Sequence, residues 1–136
     1  MKSTRIASVI SIVIIAGLIL ASCGSTEEKL VGTWFTESVT ATVDSSKANL
    51  ASIDNAIAST KTTKFILNED HSMALTIDGY TTDAFWTYDD ENGTVSFRLE
   101  DNDIGEEINL GKVDGSKILY NSSVKHGIIT AIYVKE

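Results

Sequence analysis

One thiol, two imidazoles and a run of carboxylates are the side chains in this 136-residue sequence whose types invite chemistry. Their spacing limits what that chemistry is. Cys23 is the only cysteine, so it can make neither an internal disulfide nor a multi-cysteine metal site, and its position has to account for it. His71 and His126 fall far apart, and no serine stands in a nucleophile motif, so the sequence assigns no catalytic residue, no metal and no cofactor. Glu100, Asp101, Asp103, Glu106 and Glu107 begin like a calcium loop, Asp-x-Asp-x-Gly, but lack its full ligand spacing and its closing bidentate acid. They read as a solvated loop that keeps a sheet end soluble. Arg98 shares parity with Ser96 and Glu100, opposite Val95, Phe97 and Leu99, and is expected to face outward.

The elements that would position Cys23 lie just before it. Lys2 and Arg5 form a basic start, and Ile6 to Leu20 is an apolar run broken only by Ser8, Ser11 and Gly17. A membrane span needs about 20 apolar residues, which this run does not reach, so residues 1–22 read as an export signal rather than a permanent helix. Leu20, Ala21, Ser22 and Cys23 resemble the lipobox of bacterial lipoproteins position by position. That resemblance implies that the Cys23 thiol takes a diacylglyceryl group, that the chain is cut before Cys23, and that Leu20, Ala21 and Ser22 form the peptidase recognition site. Two acyl chains give stable attachment where one is marginal, at roughly 0.8 kcal/mol per buried methylene. Gly24 after the cysteine resembles the outer-membrane sorting class, so the expected location is the cell envelope, at the outer membrane if the organism has one.

Charge narrows the partners. The chain carries −8, and without the two cations of residues 1–22 the remainder carries −10. Nucleic acid and other strongly anionic surfaces are poor partners for such a body. Residues 23–28 read as the lipidated cysteine and a short tether with a reach of roughly 20 Å at full extension.

Residues 29–136 read as one mainly β domain, with nine glycines in the whole chain and no proline. After an opening strand, Ser45 to Thr60 sets Leu50, Ile53 and Ile57 on one face of a helix, with Asp44 or Ser45 as cap. Seven strand signals follow: Thr62–Leu67, a strand with Met73, Leu75 and Ile77 on one face, one with Trp86 and Tyr88, then Val95–Leu99, Glu107–Val113, Ser116–Asn121 and Ile128–Lys135. The twelve large side chains Phe65, Leu67, Met73, Leu75, Ile77, Trp86, Tyr88, Val95, Phe97, Leu99, Ile108 and Leu110 are the expected core, enough to fill a short eight-stranded barrel.

Gly32 and Trp34 look like the G-x-W opening of lipocalin-like barrels, and a meander with one helix between strands 1 and 2 is similar to the small lipocalin-like domains of bacterial lipoproteins. The resemblance implies a small eight-stranded antiparallel barrel, monomeric, with Gly32 and Trp34 at its closed end. Ala131-Ile132-Tyr133 lacks the arginine of the R-x-Y with which fatty-acid binders grip a carboxylate. In a meander, successive connections alternate between the two ends. The tight Asn68–His71, Asp90–Gly93 and Asp114-Gly115 turns then share the Trp34 end, while the helix and the loops 79–83, 101–105 and 121–127 form the mouth. His71 and His126 are expected at opposite ends. Leu50, Ile53, Ile57, Tyr80 and His126 are the candidate ligand mouth. The function expected is non-catalytic binding of a small apolar or amphiphilic ligand there; the alternative is a packed barrel acting as an envelope protein-interaction or inhibitor module.

Overall fold

The computed structural model describes residues 25–99 and 105–136. Leu20, Ala21, Ser22, Cys23 and the acidic residues Glu100, Asp101 and Asp103 lie outside the described residues. A short helix α1 (Thr26–Leu30) leads into β1 (Gly32–Val43), followed by α2 (Leu50–Lys61), β2 (Lys64–Leu67), β3 (Ser72–Ile77) and β4 (Tyr80–Asp89). Then come β5 (Thr94–Arg98), β6 (Ile108–Asp114), β7 (Lys117–Val124) and β8 (Gly127–Lys135). Each strand pairs antiparallel with the next, and β8 returns to β1 to close an eight-stranded barrel. The mainly β meander with a helix between strands 1 and 2 is therefore the architecture.

Two bulges tune the closure, because an extra residue on one strand reverses the inward parity beyond it. In β1 the register shifts between Thr36 and Ser38, so Trp34 and Thr36 take inward positions before Glu37 while Val39 and Ala41 take them after it. In β6 the shift leaves Leu110 between Asn109, opposite Ser96, and Gly111, opposite Val95. Gly111 has φ +151, and a Cβ there would come within 2.5 Å of Ile118 Cγ2 and 2.8 Å of the Leu119 carbonyl. The bulge needs a glycine.

The interior is filled. Trp34, Phe65, Leu67, Met73, Trp86, Val95, Phe97, Leu110, Ile118, Ala131 and Tyr133 form one buried cluster, with Leu75 and Tyr88 partly buried against it. Phe65 stacks on Trp34 at 6.1 Å and meets Tyr133 edge-on at 5.1 Å. Three residues expected in the core are not in it: Ile77, Leu99 and Ile108 are 38%, 54% and 37% exposed. They share the inward parity of their strands but stand at or past the strand ends, above the filled layers.

Several boundaries differ from the sequence reading, each for a local reason. Residues 26–30, expected to be tether and the start of β1, form α1, capped by the Ser25 hydroxyl accepting from the Glu28 N–H. The helix after β1 starts at Leu50 rather than Ser45, because Asp44 spends its carbonyl and carboxylate on a turn over Ser46, Lys47 and Ala48, and Asn49 is the cap instead. The loop expected at 79–83 is a two-residue turn, Asp78-Gly79, with both residues at positive φ as a tight hairpin requires. The loop expected at 121–127 is likewise the pair Lys125-His126.

Candidate functional site

The two ends of the barrel are chemically different. At one end Trp34 and Trp86 both spend their indole N–H on backbone: Trp34 Nε1 donates to the Leu30 carbonyl at 2.8 Å, and Trp86 Nε1 to the Asn68 carbonyl at 3.0 Å. Leu30, the last residue of α1, is buried in the core cluster, so α1 and the two tryptophans plug this end. Gly32, at φ +141, leaves room for the stem of Lys135, whose ammonium donates to the carbonyls of Lys29 (2.7 Å) and Val31 (3.4 Å). A cation on the last carbonyls is the favoured partner for a helix C-terminus. His71 joins the Glu27 carboxylate and lies 4.8 Å from the Trp86 ring. The turns at this end are held by their own acids: the Ser72 hydroxyl holds the Asp70 carboxyl below the usual range, and the Asn92 amide does the same for Asp89.

The opposite end carries α2 and the connections after β3, β5 and β7. α2 packs chiefly on β1, with β8 next. Its approach and its far end are tied down. The Asp44 N–H donates to the His126 carbonyl at 2.9 Å just before α2, and Asp78 accepts from the Ser59 hydroxyl at 2.7 Å at its far end. The Thr36 hydroxyl lies 2.9 Å from the Thr60 and Thr63 carbonyls and ties the same end to β1. The helix is thus a strap across one side of the mouth.

That placement divides the five residues expected to form one mouth. Ile53 is buried beneath α2 and lines a hollow of about 360 Å³ with Ser52, Ala56, Val124 and Lys125. His126, next to Lys125, is exposed in a turn with φ +66. Ile57 is half-buried, and Leu50, at the N-terminus of α2, is half exposed rather than facing a cavity. Tyr80 is 81% exposed and stands beside Asp78, at the other end of the strap. Leu50, Ile53, Ile57, Tyr80 and His126 therefore do not converge on one pocket.

Two exposed apolar pairs line the rim instead. Ile77 and Tyr80 are direct cross-strand partners, Ile108 is paired with Phe97, and Leu99 follows β5. All four continue inward-facing rows: Tyr80 has the parity of Ala84 and Trp86, Ile77 that of Met73, Leu99 that of Val95 and Phe97, and Ile108 that of Leu110. Inward parity with solvent exposure means an apolar lip at the β3–β6 side, away from the strands on which α2 chiefly packs. Asp78, Asp83, Glu106 and Glu107 are exposed alongside it. Tyr80 is the one rim residue legible in advance; the others were assigned to the core because alternation reports a face and not a depth.

The histidines end as the meander requires, His71 in the β2–β3 turn and His126 in the β7–β8 turn at the other end. No helix among the described residues is long and apolar enough to cross a membrane. No protein-family model, curated protein or solved structure matches the chain.

Proposed function

We propose that this chain is a lipid-anchored lipoprotein of the bacterial envelope, carried by Cys23, whose lipocalin-like barrel is a non-catalytic binding module working at its α2 end. The lip of Ile77, Tyr80, Leu99 and Ile108 carries the reading. Exposed apolar side chains that carry inward parity and stand beside acids at one end of a barrel suit binding better than singly scattered surface residues do. The filled interior moves the ligand outward: a small apolar or amphiphilic molecule would lie across the lip, with one face on these four side chains, and not inside the barrel.

A second reading has its own observation. A sealed core and an acidic, shallow lip also suit an apolar and basic patch on another envelope protein. The two readings separate in one series. Native mass spectrometry of gently purified protein is expected to find a bound amphiphile, and an environment-sensitive naphthalene dye is expected to lose most of its binding in Tyr80→Ser/Leu99→Ser. Wild-type protein with neither a copurifying ligand nor dye binding, together with a crosslinked protein captured in cells through position 80, would favour the second reading.

The anchor is tested separately. Cys23→Ala is expected to move the protein out of the membrane fraction, and its retention there would instead favour an uncleaved apolar segment.

A further inference from the structure

α1 divides the plugged end into two hollows of opposite character. One, of about 520 Å³, carries the carboxylates of Glu27, Glu28 and Glu69 together with His71. The other, of about 880 Å³, carries no carboxylate; Lys29 and Lys135 stand in it beside the apolar groups of Leu30, Tyr88, Val113 and Val134. Among the described residues no ion pair holds the Lys29 ammonium. The Lys135 ammonium, with three N–H donors, has given two to carbonyls.

Chain length decides what meets these hollows. With helix starting at Thr26, capped by Ser25, the stretch between a lipid on Cys23 and the folded body is about two residues, a reach of roughly 7 Å instead of the 20 Å an unfolded tether would have. α1 is no tether, since Leu30, Trp34, Lys135 and His71 all hold it to the barrel. The plugged end therefore cannot be held off the headgroups by the charge of the body. Of its two hollows, the acidic one repels phosphate and the lysine-bearing one attracts it.

We infer that the hollow of Lys29, Lys135, Tyr88, Val113 and Val134 seats a phospholipid headgroup of the membrane that holds the anchor, with phosphate on the lysines and the upper part of a chain against the apolar wall. This sets the barrel end-on, with the α2 end outward. The inference rests on the lipid-anchor reading above.

Both tryptophans lie at the plugged end, so their emission reports the contact without an added label. Protein purified from its own membranes, with the acyl mass on Cys23 checked by mass spectrometry, is reconstituted into phosphatidylcholine vesicles containing a headgroup-nitroxide lipid, with or without phosphatidylglycerol. The expected result is loss of tryptophan emission to the nitroxide, a larger loss when phosphatidylglycerol is present, and disappearance of that increment in Lys29→Gln with its return in Lys29→Arg. General repulsion of an acidic body predicts the opposite sign on anionic vesicles. No quenching, a smaller loss with phosphatidylglycerol, or an unchanged increment in Lys29→Gln would overturn the headgroup site alone. An absent acyl mass would overturn the anchor reading, and this inference with it.

Discussion

Tyr133 condenses the physics of the core into one titratable group. Its ring meets Phe65 edge-on in the barrel interior, and burial, with the neighbouring Tyr120 adding to it, pushes its phenol up from 10.0 to about 12. The neutral form is the one the folded barrel prefers. Below pH 10 the phenol is protonated in folded and unfolded chains alike, and its contribution is intact; as pH rises through 10 toward 12 only the unfolded chain ionises, and stability falls. At 1.36 kcal/mol per pKa unit the full loss is roughly 2 to 3 kcal/mol. Urea unfolding followed from pH 9 to 12 should show this decline. Tyr133→Phe should flatten it, and an equal decline in that variant would place the sensitive group elsewhere.

At the scale of the element, the strap α2 is held less by its own apolar face than by its ends. Ile53 is its one buried residue, while Asp78 meets the last turn through Ser59 Oγ at 2.7 Å and through its N–H on Thr62 Oγ1 at 2.8 Å. Asp78 does this from φ +53, a conformation that asparagine and aspartate tolerate and alanine resists. Asp78→Ala should therefore cost roughly 1 to 3 kcal/mol, combining backbone strain with lost hydrogen bonds. It should also speed amide exchange in Ser59 to Thr62, whereas Asp78→Asn should change both much less. Exchange measured by mass spectrometry on the two variants checks this, and equal protection in Asp78→Ala would mean that packing on β1 holds the strap alone. Packed on β1 and tied at its far end to the β3–β4 turn, α2 leaves the β3–β6 lip open.

Across the whole molecule, the order of elements was legible because each strand carries its alternation and each turn its punctuation. Val95 and Phe97 alternate against Thr94, Ser96 and Arg98, and Asn92-Gly93 and Gly115 mark reversals that the chain makes. Alternation is blind in two directions. It names a face and not a height, so Ile77, Leu99 and Ile108 looked like core although they crown it. It also fails at a bulge, where the Glu37 insertion changes which parity is inward, a change no period-two count can anticipate. α1 was unreadable for another reason. Five residues with two acids and a single buried leucine have no periodicity to detect, and beyond the Ser25 cap and Trp34 they are held by His71 and by Lys135, the latter more than a hundred residues away in sequence. The same limit hid how the five mouth residues are divided at the expected end: Asp78-Gly79 carries a two-residue hairpin signal, but nothing local says that the strap will end beside it.

The β1–β8 seam sets a timetable. β1 lies against β2 through only four residue pairs, Gly32 to Phe35, whereas from Ser38 to Val43 its registered partners belong to β8. Most of the first strand thus waits for the last. A chain still being made lacks, until its end, the one strand that completes the ring. Closure comes only when Gly127 to Lys135 arrive, so a chain cut short before them is left with β1 as an open, unpaired edge from Ser38 onward.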